Sequence, residues 1–146
     1  MIALPHILII EDNEDDYEAA ERSFRQAHFV NPISWCRTGQ EALDFLQRGH
    51  RPADLILLDL NLPGMGGRRV LETVKADPAL KSIPVIILTA IADSRDVESC
   101  LALGAATHIP KPVDFKGLAE AIGTMNDHWF GIALLPQTNE QKGKLL

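Results

Sequence analysis

Cysteine is scarce: Cys36 and Cys100 are the only two in 146 residues. They form no CxxC pair, and no histidine stands near either at metal-ligand spacing. A disulfide-stapled scaffold and a zinc ribbon are thereby excluded, and two reduced, packed thiols in a cytoplasmic protein are expected. Positive charge is thin as well, with 14 Lys and Arg against 20 Asp and Glu, a formal charge of −6 and no dense basic run. Neither nucleic acid nor an anionic membrane is an expected partner. Long apolar runs are missing too. The opening MIALPHILIIEDNEDD has an apolar segment too short to span a bilayer, and acidic residues follow where a signal cleavage site would have to lie. No export or anchoring signal is expected. With no internal repeat and no low-complexity linker, a chain of 146 residues that is 46% hydrophobic reads as one domain around a single core. Composition changes only after Asp127.

What is present is an alternation of short apolar runs and helical patterns. HILII (6–10), ISW (33–35), DLILL (54–58), PVIIL (84–88) and ATHI (106–109) read as strands. The third and fourth are apolar on both faces, as suits a parallel sheet covered on both sides. Between them, Tyr17, Ala20, Phe24 and Ala27 recur at helical spacing, followed by Ala42, Leu43 and Leu46, then Val70, Leu71 and Val74, then Val97 and Leu101, then Leu118, Ile122 and Met125. Thr38-Gly39-Gln40-Glu41 forms a capping box, Asp93 and Asp114 stand where N-caps belong, and Gly104 marks a helix end. The implied fold is a doubly wound, flavodoxin-like (βα)₅ unit, a five-stranded parallel sheet with helices on both faces. Such sheets place their sites at the carboxyl ends of the strands.

That rule gathers the chemistry. Strand one ends at Glu11-Asp12, strand three at Asp59, strand four at Thr89-Ala90, and strand five runs into Pro110-Lys111-Pro112. Singly, each side chain has a plain structural role, the carboxylates as helix-starting or solvated residues, Thr89 in a turn, Lys111 as a loop cation. Together they put three carboxylates, a hydroxyl and an ammonium at one edge of the sheet. Close carboxylates repel one another, and the remedies are proton uptake or a bound cation. An oxygen-only site open to water and phosphate suits Mg²⁺ better than Zn²⁺ or Ca²⁺. Beside such an ion Asp59 can serve as a nucleophile for phosphoryl transfer, with Lys111 and Thr89 on the phosphoryl oxygens.

From about His6 to Met125 the chain resembles the receiver domain of two-component response regulators. The resemblance rests on Glu11-Asp12, on Asp59 followed by Asn61 and Pro63-Gly64, on Thr89-Ala90 and on Lys111-Pro112. It implies that Asp59 accepts a phosphoryl group from a sensor histidine kinase. It also implies that Glu11 (through water), Asp12, Asp59 and the backbone carbonyl of Asn61 hold Mg²⁺, that Thr89 and Lys111 bind the phosphoryl group, and that the Lys111–Pro112 bond is cis. In one place the sequence departs from the pattern. Three residues before the lysine, receivers usually carry Tyr or Phe as the partner of the threonine in switching; here it is His108, which either switches with added pH sensitivity or is a plain strand-end histidine. Ile91, two residues after Thr89, offers no help to an attacking water, so slow self-hydrolysis is expected.

Residues 1–126 are thus read as the receiver and residues 127–146 as a tail too short to be an output domain. A stand-alone receiver is implied, and the Trp129-Phe130 pair with the apolar run to Leu135-Pro136 is similar to the tails of phytochrome-associated response regulators. That likeness implies a phytochrome-type kinase as partner. Because Gly131 and Pro136 interrupt helical propensity, an extended arm that pairs two copies into a homodimer is expected, in preference to a longer fifth helix. Two rival readings are weighed. An aspartyl-phosphate-forming phosphohydrolase needs a second acid two residues after its nucleophile, where Asn61 stands. A nucleotide-binding module needs a glycine loop, where Glu11-Asp12-Asn13-Glu14 would repel a pyrophosphate.

Overall fold

The computed structural model describes residues 4–48, 52–90 and 94–133. Strands and helices alternate throughout: β1 (Ile7–Ile10), α1 (Glu14–Gln26), β2 (Ile33–Cys36), α2 (Gly39–Leu46), β3 (Leu55–Asp59), α3 (Gly67–Ala76), β4 (Val85–Thr89), α4 (Ser94–Ala102), β5 (Thr107–Pro110) and α5 (Phe115–Ala133). All pairings are parallel, in the order β2-β1-β3-β4-β5. Every residue of β1, β3 and β4 is buried, as strands covered on both faces must be.

Alternation along each strand sends successive side chains to opposite faces and divides the core in two. Ile7, Ile9, Leu55, Leu57, Ile86, Leu88 and Ile109 meet Ala20 and Phe24 of α1 and Leu118, Ala121, Ile122 and Met125 of α5. Leu8, Ile10, Ile56, Leu58, Val85 and Ile87 meet α2, α3 and Cys100 of α4 on the other face. Cys36 and Cys100 are free and buried, and burial pushes both thiols up, Cys36 to about 11. Among the described residues no helix is long and apolar enough to cross a membrane.

Local signals account for the helix starts. Asn13 accepts from the Asp16 amide at 2.9 Å, Thr38 from the Glu41 amide at 3.1 Å, and Asp114 from the Gly117 amide at 2.7 Å. Glu41 returns its carboxylate to the amide of Arg37 at 2.8 Å, one residue earlier than a capping box requires. Gly104 closes α4 at φ +113°, a conformation that glycine adopts without strain. Asp93, placed at the start of the fourth helix, and Ile91 lie outside the described residues.

At the C-terminal end the structure corrects the expectation of an extended arm, because α5 continues through Gly131 to Ala133. One glycine costs a helix interior only about 1 kcal/mol. Pro136, the stronger breaker, comes later and lies with residues 134–146 outside the described part.

Candidate functional site

Each strand that reaches the carboxyl edge delivers a polar side chain where its apolar stripe ends. On the face covered by α1 and α5, Ile7 and Ile9 are followed by Glu11, Leu55 and Leu57 by Asp59, and Ile109 by Lys111. These three continue the core stripe with charge. Glu11 and Asp59 are 0% and 1% exposed, a burial that free carboxylates do not tolerate without partners. Carboxylate oxygens of Glu11, Asp12 and Asp59 lie within 4.8 Å of one another.

Lys111 supplies the balancing charge. Its Nζ lies 3.1 Å from Glu11 Oε1, 3.3 Å from Asp59 Oδ2 and 3.0 Å from Asp16 Oδ2. Burial alone would push this ammonium down; hydrogen bonds to Asp16 and Glu11, with the charges of Asp59 and Glu11, outweigh it and hold the group above its ordinary value. Burial likewise pushes the Glu11 carboxyl up and nearby Asp59 pushes it further, while the Asn13 amide and Lys111 pull it down, leaving it at about 7. The chain itself thus supplies one remedy for carboxylate repulsion, a cation, and the raised Glu11 carboxyl makes the other, proton uptake, easier.

The backbone fixes these groups. Lys111 donates its amide to Thr89 O at 2.6 Å, and the bond to Pro112 is cis as expected. Ser23 of α1 donates to Val113 O at 3.1 Å and so ties α1 to the loop that carries Lys111. Trp35 donates its indole N–H to Glu11 O at 2.7 Å, stacks on Tyr17 with ring centroids 4.1 Å apart, and has the Arg37 guanidinium over its ring at 4.5 Å. At the end of β3, Asp59 Oδ1 accepts from the Asn61 amide at 3.0 Å. The chain then turns through Gly64 at φ +70°, a conformation that favours glycine. Gly67, opening α3, lies so close that an added Cβ would fall on the Asp59 carbonyl oxygen.

Thr89 ends β4 beside β5, opposite Pro110, and its hydroxyl is buried with no hydrogen-bond partner among the described residues. A buried hydroxyl without a partner is uncommon in a folded protein. His108 sits opposite Ile87 on β5, half-buried. By alternation it belongs to the face opposite Lys111, as Thr89 does.

A model of the response regulator receiver domain matches residues 7–123. The chain belongs to the response regulator receiver family. Among relatives, this receiver is 32% identical to the response regulator Rcp1 of Synechocystis sp. over 136 residues, 89% of this chain and 92% of that one. The structure of the Mn²⁺-bound form of Rcp1 superposes with a TM-score of 0.71 at 30% identity, over 91% of this chain and 99% of the other. The bacteriophytochrome response regulator RtBRR gives 0.80 at 33% identity over 94% and 85%. The phosphorylated cyanobacterial phytochrome response regulator RcpA gives 0.73 at 31% identity over 92% and 100%.

The receiver's structure gathers Glu11, Asp12, Asp59 and Lys111 as the sequence suggested and sets Thr89 and Asn61 at the neighbouring strand end and turn. Two contributors were not singled out from the sequence, Asp16 and Trp35. Asp16 had a signal. It stands four residues before Ala20 and eight before Phe24, on the buried stripe of α1, whereas Glu14 and Asp15 are exposed. Trp35 had none, since its contact with β1 follows from the pairing of Ile9 with Trp35.

Proposed function

We propose that Asp59 is the phosphoacceptor of a stand-alone, cytoplasmic response regulator, charged by a sensor histidine kinase of the phytochrome type. The observation that carries the chemistry is the buried Asp59 carboxylate held 3.3 Å from Lys111, within a cluster of three carboxylates. A carboxylate oxygen of Asp59 attacks phosphorus, the bond from phosphorus to the donor imidazole nitrogen breaks, and the electron pair leaves with that nitrogen. Lys111 accompanies the transferred oxygens, and the Thr89 hydroxyl, which has no partner among the described residues, gains an acceptor when the phosphoryl group arrives. The donor set of Glu11, Asp12, Asp59 and the Asn61 carbonyl, oxygen throughout, fits Mg²⁺. Such an ion would neutralise phosphoryl charge. Kinship with Rcp1 and with the bacteriophytochrome regulators supports the choice of kinase and the stand-alone form.

Thr89 and His108 are the proposed switch pair, drawn together when the hydroxyl turns to the phosphoryl group. Output would pass through α4, β5 and α5, where Leu101 and Phe115 are 41% and 48% exposed, and a homodimer through this face and the tail is the assembly we favour. The phosphohydrolase reading finds no support, since the amide at position 61 is far too weak an acid to protonate a leaving group.

The deciding experiment is incubation with acetyl phosphate and Mg²⁺ followed by intact-mass measurement. The parent gains one base-labile phosphoryl group, and Asp59→Asn gains none. Stoichiometric labelling of Asp59→Asn would overturn the assignment.

A further inference from the structure

A lysine ammonium has three N–H donors, and Lys111 finds four carboxylate oxygens within reach. These are Asp16 Oδ2 at 3.0 Å, Glu11 Oε1 and Oε2 at 3.1 and 3.3 Å, and Asp59 Oδ2 at 3.3 Å. Asp16 is the nearest of them and the odd one out. Glu11 and Asp59 belong to the group whose oxygens could share a cation, and Asp16 does not. A divalent ion at that cluster would compete with Lys111 for Glu11 and Asp59, leaving Asp16 as the carboxylate with no other claim on it.

Asp16 is also well placed to act as a fixed point. It stands in the first turn of α1, its amide bonded to the cap Asn13 at 2.9 Å. The same helix is tied by Ser23 to Val113, two residues after Lys111. The ordinary role of an acidic residue in a first helical turn is to complement the helix dipole. Glu14 and Asp15 fill that role from exposed positions, while Asp16 turns inward, its side chain 28% exposed, against a lysine that is 10% exposed.

We infer that Asp16 is a positioning residue, holding the Lys111 ammonium aimed at Asp59 once Glu11 and Asp59 are engaged by a cation. This rests on the phosphoacceptor reading above. When the phosphoryl group arrives, the ammonium is then already oriented toward its oxygens, and no reorganisation of a long flexible side chain is needed in the transition state.

The test compares the full-length parent with Asp16→Ala and Asp16→Glu in two assays. In the first, Asp59 phosphorylation by acetyl phosphate at saturating Mg²⁺ is followed over donor concentration. Asp16→Ala lowers the maximal rate about tenfold, a tenth of what misplacing reacting groups by about 1 Å can cost, and Asp16→Glu recovers part of the loss. In the second, acylation of Lys111 by an activated ester is read by peptide mass spectrometry with and without Mg²⁺. Asp16→Ala accelerates Lys111 acylation much more with Mg²⁺ than without, because without it Glu11 and Asp59 still hold the amine. A maximal rate equal to the parent's, or an acceleration that is the same in both conditions, would overturn the inference and leave Asp16 an ordinary first-turn acid. A parent that takes up no phosphoryl group would instead overturn the proposed function, and the acylation assay would still decide what Asp16 does.

Discussion

A carboxylate buried at the end of an apolar stripe needs its charge balanced, and at Glu11 Lys111 does this while burial raises the carboxyl toward neutrality. Burial, ahead of the charge of Asp59, raises this carboxyl from 4.5 to about 7. A raised folded-state value means that the protonated form favours the fold: the contribution is full below 4.5 and is lost as pH rises through about 7. Without divalent cation, the parent should therefore lose thermal stability between those two values, and Glu11→Gln should flatten that part of the curve. Melting temperature against pH, by circular dichroism in a chelator, checks it; parallel curves would contradict the assigned cause. At this scale Asp59, Glu11, Asp12, Thr89 and Lys111 were legible because each stands where an apolar run stops. Asp16 was less so. It lies in EDNEDD among other acids, and only the helical phase set by Ala20 and Phe24 separates it from its exposed neighbours.

At the scale of elements, β3 and α3 are pressed together where Asp59 sits. Gly67 opens α3 with its amide on Leu60 O at 3.2 Å, and a Cβ there would meet the Asp59 carbonyl and, at 2.7 Å, Leu60 Cα. Backbone atoms cannot move aside as a flexible side chain can. Gly67→Ala should cost about 1–3 kcal/mol of stability, the usual range for overpacking, measured by urea unfolding. It should also slow acetyl phosphate labelling, because relief of the clash displaces Asp59. Unchanged stability would mean that α3 slides freely on β3. Strand positions were legible to within a residue; each of β1, β3, β4 and β5 begins one place later than its apolar run suggested. The reason is physical. Apolarity marks burial, whereas a strand continues as long as its ladder does, so β3 and β4 include Asp59 and Thr89.

For the whole molecule, five alternating units were enough to indicate a doubly wound sheet, since parallel strands need helical crossovers and those close on both faces. The C-terminal segment is harder to read, because glycine and proline both lower helical propensity although a helix tolerates the first far better. With α5 running to Ala133, a dimer would be built on a longer helix. A chain ending at Asp127 should keep metal binding and phosphorylation and lose self-association. Sedimentation of the two chains at matched concentration, with and without acetyl phosphate, checks this. A shortened chain that pairs as tightly as the parent would confine the interface to α4, β5 and the first part of α5.

The amides around the site make two kinds of hydrogen bond. Leu60 N bonds Leu88 O at 3.2 Å and Lys111 N bonds Thr89 O at 2.6 Å, both backbone to backbone along the sheet. Asn13 N and Asn61 N bond carboxylate oxygens, Glu11 Oε2 at 3.1 Å and Asp59 Oδ1 at 3.0 Å. In deuterated solvent the first pair should exchange only when the sheet opens, on the slow timescale of global unfolding. The second pair should follow the occupancy of the carboxylates, so that loading the site retimes two amide protons while the frame beneath them keeps its pace.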